Sequence, residues 1–259
     1  MDLELKGLTA LVTGASRGIG LAIAHGLARE GCNLHLASRT AGDLEAARTS
    51  ILGQHKVAIE CHALDMSKGE NAALLGQRCG DVDILINNAG SIPAGRLKDL
   101  DEAKWRSGWE LKVFGYINLT REIYRRMCER RHGVIVNVIG VSGERYRQDY
   151  IAGVTGNAGL MAFTRTLGGE SVDFGVRVVG VNPGQVETDR LRQRLERKAK
   201  EAFGDSNRWR ELVMSPPLGR LARTEEIADT VVYLASARAS YISGTIVTVD
   251  GGRAVRNAT

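Results

Sequence analysis

Thr9-Ala-Leu-Val-Thr-Gly-Ala-Ser-Arg-Gly-Ile-Gly20 is the stretch on which the reading of the fold turns. Thr9–Thr13 has the β-branched, apolar character of a buried strand, and Leu21–Glu30 has the periodicity of a helix. Between them, Gly14 permits a tight bend, Gly18 lets the backbone approach a pyrophosphate, and Gly20 lets the helix pack close to the sheet. A helix starting here offers free N–H groups and the positive end of its dipole to phosphate. Gly14, Ser16, Arg17, Gly18, Ile19 and Gly20 are therefore expected to hold a dinucleotide. An ordinary strand-to-helix turn is the alternative, and the place of this turn at the head of a strand–helix–strand unit weighs against it.

Working outward, six further apolar runs bounded by Gly, Asn or Asp read as strands: Asn33–Ala37, Ala58–Ala63, Ile84–Asn87, Gly133–Ile139, Arg177–Asn182 and Ile246–Val249. Several are apolar along their whole length, as strands buried on both faces are. Helical periodicity fills the gaps, for example over Ile227–Ala235. The pattern predicts an α/β fold, a doubly wound (Rossmann-type) parallel sheet of about seven strands with helices on both faces. No repeat or linker divides the 259 residues, so a single domain over 1–259 is expected.

The composition, 43% hydrophobic and 25% charged, is that of a globular protein. With no signal-like N-terminus and no membrane-length apolar run, a cytoplasmic location without membrane contact is expected. Cys32, Cys61, Cys79 and Cys128 form no CxxC pair, which signals neither a disulfide framework nor a zinc site and suggests buried, reduced thiols. The net charge of +5 is concentrated: Asp189 to Arg220 holds nine Lys/Arg against five Asp/Glu. No basic cluster interleaved with aromatics accompanies it, so nucleic acid is not the expected partner.

The second strand runs into Ser38 and Arg39, where a free ribose 2′-hydroxyl would want an acid and a 2′-phosphate a cation. Arg39, with Arg17 in the glycine turn, favours NADP(H) over NAD(H).

With Asp65, Asn87-Asn88-Ala89-Gly90, Asn182-Pro183-Gly184, Thr188 and Asp250-Gly251-Gly252 following the glycine turn in order, the chain resembles the short-chain dehydrogenase/reductases over nearly its whole length. The resemblance implies that Asp65 and Met66 flank the adenine, that Asn88, Ala89 and Gly90 pass beneath the cofactor, and that Pro183, Gly184, Val186 and Thr188 hold the nicotinamide amide. It also implies an NADP(H)-dependent oxidoreductase acting on a carbonyl or alcohol, through a tetrad of Asn, Ser, Tyr and Lys.

The tetrad is missing. Its four positions hold Lys112, Gly140, Gly153 and Asn157, and no Tyr-x-x-x-Lys occurs anywhere in the chain. Lys112 and Asn157 look like an exchange, ammonium for amide and amide for ammonium. Tyr150 lies one helical turn before Gly153, and with no side chain at 153 its ring, or a substrate, has room to enter the cleft. The reading is a rebuilt site: Lys112 projects toward Asn157, and Tyr150 supplies the proton. Ser142, Glu144 and Tyr146 in the preceding loop rank behind it, and none of the five histidines is given a role. Two alternatives stay open: an NADP(H)-binding partner subunit or sensor without hydride transfer, and a lyase or isomerase on the same scaffold.

Residues 188–220 correspond to the family's substrate lid, with Leu191, Leu195, Ala199, Ala202 and Phe203 at helical spacing among Arg190, Arg192, Arg194, Arg197 and Lys198. These cations read as a solvated face, or as a cover for an anionic small-molecule substrate such as an acyl-CoA. The helices carrying Lys112 and Asn157 form the oligomer interface in the resembled family. A homotetramer or homodimer is expected, with Gly153, Gly156 and Gly159 suiting close helix packing between copies.

Overall fold

The computed structural model describes residues 1–213 and 216–256; residues 214–215, within the expected lid, lie outside it. Seven strands form one parallel sheet: β1 (Thr9–Thr13), β2 (Asn33–Ser38), β3 (Ile59–Ala63), β4 (Ile84–Asn87), β5 (Gly133–Val138), β6 (Val176–Pro183) and β7 (Ile246–Val249). Their order is β3-β2-β1-β4-β5-β6-β7, so the chain reverses direction across the sheet between β1 and β4. That reversal opens the crevice in which such sheets bind ligands. The helices are α1 (Gly18–Arg29), α2 (Ala41–Leu52), α3 (Gly69–Arg78), α4 (Glu102–Trp109), α5 (Gly115–Arg130), α6 (Ile151–Glu170), α7 (Asp189–Phe203) and α8 (Thr224–Ala235). A π-helical turn, Glu110–Phe114, joins α4 to α5.

Every residue of β4 is buried, because helices cover both faces of the sheet. One apolar layer packs Ile23, Leu27, Ile227 and Val231 of α1 and α8 against Val12, Ile86 and Val179. The opposite layer packs Leu75, Leu119, Ile123 and Met127 of α3 and α5 against Leu11, Leu85 and Ile135. The edge strand β3 departs from the pattern: Glu60, Cys61 and Ala63 are exposed.

A polar chain crosses the second layer. Asn87 Nδ2 donates to Asn137 Oδ1 at 2.9 Å and to Thr120 Oγ1 at 3.0 Å, and Asn137 Nδ2 donates to Thr164 Oγ1 at 2.9 Å. All four side chains are buried. They tie β4 and β5 to α5 and α6, the helices that flank the site. Asn137→Ala strips Asn87 and Thr164 of a partner out of reach of water, and it should cost about 1–3 kcal/mol by urea denaturation.

Candidate active site

The glycine turn is held from both sides of the crevice. Thr13 Oγ1 accepts from the backbone N–H of Asn88 (2.9 Å) and of Ala89 (3.1 Å). Asn88 Nδ2 in turn donates to Thr13 O (3.0 Å) and Gly14 O (3.4 Å). Gly14 has φ +66°, a conformation L side chains rarely adopt. A Cβ on Gly20 would overlap the Gly14 carbonyl oxygen and stand 2.5 Å from Asn88 Nδ2. Arg17 precedes α1 in extended backbone and no side chain caps the helix, leaving its first N–H groups for a ligand. At the end of β2, Ser38 Oγ is buried without a hydrogen-bond partner, beside an exposed Arg39. A phosphate-bearing ribose fits these donors.

Around this cradle stand the other expected contacts. Met66 is buried, and Asp65 accepts from the N–H and hydroxyl of Ser67. Pro183 ends β6 opposite Val249, and the buried Val186 pairs with Ala222. Thr188 accepts from Leu191 N at 3.3 Å, which starts α7. A Cβ on Gly18 would meet its methyl at 3.4 Å, so the base of the lid rests on the glycine turn.

Three of the four tetrad positions, Lys112, Gly140 and Asn157, meet at the end of β5. Lys112, on the π-helical turn, donates to Val138 O (3.2 Å) and Ile139 O (2.7 Å). Asn157 Nδ2 donates to the next carbonyl, Gly140 O, at 3.2 Å, and Asn157 Oδ1 is buried without a partner. Lysine and asparagine thus grip three successive carbonyls. A serine would not fit the present backbone at Gly140, whose φ is +128° and whose Cβ would lie 3.2 Å from Asn157 Nδ2. The Tyr116 hydroxyl also donates to Val138 O (2.8 Å), with its ring centroid 5.4 Å from Lys112 Nζ. Burial, with Arg190 adding repulsion, lowers the Lys112 pKa from 10.5 to about 7.

Tyr150 lies where the sequence places it. A Cβ on Gly153 would overlap its ring at Cε1 and Cζ, so the aromatic ring fills the volume a side chain at 153 would claim. Burial raises its pKa more than the nearby cations Arg190, Arg194 and Arg147 lower it, so the phenol keeps its proton at neutral pH.

Three expectations need correction. Gly153 faces Tyr150, and Gly156 faces Val113, Ile92 and Trp109 of the same chain; only Gly159 looks into open space. The glycine-spaced face is therefore filled from within, because the bulky residues of α4 and the π-helical turn lean into it. Of the cysteines, Cys32 and Cys79 are buried, but Cys61 is exposed on the edge strand and Cys128 is half-buried. In the lid, Leu191, Leu195 and Ala199 pack on Trp209 and Leu221, while Ala202 and Phe203 lie at the exposed end of α7. Tyr146 is exposed, and Glu144 accepts from the Thr248 hydroxyl.

Arg190 is the residue whose placement the sequence did not reveal. It donates to Gly90 O (2.8 Å) and Ser91 Oγ (2.7 Å), latching the lid to the loop after β4. Its position in the first turn of a basic helix was the available signal, and four neighbouring cations masked it.

Comparisons with known proteins agree with this geometry. The family model described as short chain dehydrogenase matches residues 8–199. The 3-oxoacyl-(acyl-carrier-protein) reductase of Escherichia coli is 33% identical over 254 residues, 96% of this chain and 98% of its own length. Nodulation protein G of a Rhizobium species is 34% identical over 259 residues, covering 97% and 99% of the two chains. Among solved structures, L-sorbose reductase from Gluconobacter frateurii, complexed with NADPH and L-sorbose, superposes with a TM-score of 0.93 at 31% identity, over 99% of this chain and 100% of that one. The chain belongs to the short-chain dehydrogenase family.

The Tyr150–Gly153 fit is open to a double-mutant cycle. Gly153→Ala should destabilise the fold, and Tyr150→Ala should open a cavity. The double variant should then be at least about 1 kcal/mol more stable than the two losses summed, in chemical denaturation.

Proposed function

We propose that this protein is an NADPH-dependent oxidoreductase interconverting a carbonyl and an alcohol, with Lys112, Asn157 and Tyr150 in place of the usual tetrad. The observation that carries the reading is the placement of Tyr150, a protonated phenol filling the volume over Gly153, among Arg147, Arg190 and Arg194. When bound, the nicotinamide supplies or accepts the hydride. Tyr150 then delivers the proton to the oxygen that becomes the alcohol. Lys112 places a partly protonated amine at the end of β5, where it favours developing negative charge on that oxygen. Asn157 holds the Gly140 backbone in the conformation that leaves the cleft open.

Cofactor preference rests on Arg39 and Arg17, supported by the NADPH in the L-sorbose reductase structure. The three arginines around Tyr150 favour a substrate bearing a carboxylate or phosphate, and the similarity to reductases of carrier-protein-linked 3-oxoacyl groups points the same way. The assembly we propose is a homotetramer or homodimer built on α5 and α6, with Phe114 and the open side of Gly159 exposed for it. No helix among the described residues is long and apolar enough to cross a membrane.

A second reading draws on one observation. Lys112 and Asn157 both spend hydrogen bonds on backbone carbonyls, as purely structural replacements would. This reading describes a cofactor-binding subunit without hydride transfer.

Calorimetry should show NADPH binding more tightly than NADH, with Arg39→Asp removing about 1.5–3 kcal/mol of that preference. In a screen of anionic carbonyl compounds followed by the absorbance of reduced nicotinamide, Tyr150→Phe should lower turnover by about 10²–10⁴-fold while NADPH still binds. Lys112→Met should act in the same direction. Full activity in both variants would refute the assignment.

Lys112 also has a readout independent of turnover. Between about pH 7 and 10.5 the unfolded chain binds its proton and the folded chain does not, so wild-type stability should rise with pH through that window. Below pH 7 the cost of enclosing the ammonium is present in full. Unfolding of Lys112→Met should lack this rise.

A further inference from the structure

Toward the edge of the sheet, three residues before Ser38 on β2 and three before Asp65 just past the end of β3, three metal-ligating side chains converge. His35 and His62 project from the same face of β2 and β3, since His35 is in register with Glu60 and Ala37 with His62. Cys79, capping the end of α3, meets them from above. His35 Nδ1 lies 2.9 Å from His62 Nε2, and Cys79 Sγ lies 3.4 Å from the same nitrogen. The three ligand atoms all fall within 4.8 Å of one another. The Glu60 carboxylate, mostly exposed, stands 3.7 Å from His35 Nδ1 and can swing in as a fourth ligand.

A tetrahedral zinc ion, with nitrogens at about 2.0–2.1 Å and sulfur at about 2.3 Å, sets its ligand atoms roughly 3.3–3.6 Å apart. The observed separations need shifts of a few tenths of an ångström for the two contacts to His62, and a modest closing of the third side. We propose that His35, His62, Cys79 and Glu60 form a structural zinc site. Two imidazoles, a thiolate and a carboxylate suit zinc and its spectroscopic substitute cobalt, and do not suit magnesium or calcium. The two negative ligands balance the charge of the ion.

The ion would clamp the edge strand and α3 to the body of the sheet. No CxxC or HxxxH spacing announces it, because residues 35, 62 and 79 are joined only by strand pairing and a helix end. It owes nothing to the oxidoreductase reading.

The test is a Co2+ titration of the metal-stripped full chain, followed by visible and near-ultraviolet absorption. The expected result is tetrahedral cobalt bands with a thiolate-to-cobalt charge-transfer band, saturating at a single ion per chain and bleached by Zn2+. Cys79→Ser should abolish the charge-transfer band, and Cys61→Ser should leave it unchanged. His35→Gln, at a partly buried position, should weaken Co2+ binding by more than the roughly 10–100-fold that loss of an outer-shell partner costs. Circular dichroism confirms that each variant is folded; if Cys79→Ser is not, His35→Gln decides. Absence of the charge-transfer band in the wild type, its loss in Cys61→Ser, or unchanged affinity in His35→Gln would overturn the site and leave a hydrogen-bonded trio.

Discussion

The hydroxyl of Thr13 and the amide of Asn88 hold together the point where the sheet changes direction. β1 and β4 are neighbours, yet the chain leaves them on opposite faces of the sheet, so their ends part and expose unpaired backbone. Four hydrogen bonds between Thr13, Gly14, Asn88 and Ala89 close that gap at its base. The glycine turn can then bend sharply, α1 can start with its N–H groups free, and the loop after β4 is placed where Gly90 meets both Lys112 and Arg190. Without this stitch the crevice would have no fixed floor. The lid would lose the carbonyl to which it latches.

Much of the architecture could be read from the chain because a parallel sheet covered on both faces leaves a strong signal. The strands come out within one or two residues of their expected limits, as with Asn33–Ser38 and Val176–Pro183. Strand ends shift because the last ladder bond depends on the neighbour, which periodicity does not see. The glycine cradle was legible for the same local reason, since its chemistry lies within twelve consecutive residues. What the sequence withheld was long-range. The Arg190 latch spans 100 residues, the histidine–cysteine cluster joins three elements, and Gly156 of α6 is met by side chains from 40 or more residues away, such as Trp109. The Tyr150–Gly153 contact could be read because the two residues are three apart in the chain.

At the tetrad positions the residues present are packed against their neighbours. Glycine in the interior of a helix costs roughly 0.5–1 kcal/mol relative to alanine, so Gly153 is a burden unless something uses the space. The Tyr150 ring uses it, and burying an aromatic side chain repays such a cost severalfold. Gly140 bends through a conformation other residues resist, which turns its carbonyl to Asn157 and leaves those of Val138 and Ile139 to Lys112. A side chain restored at 153 would meet the Tyr150 ring. The Lys112 ammonium has two carbonyl partners, while Asn157 Oδ1 is buried with none. The arginines of the lid then act on a phenol whose position the backbone has already fixed, so the charge around it is a property of the fold and not of a mobile surface.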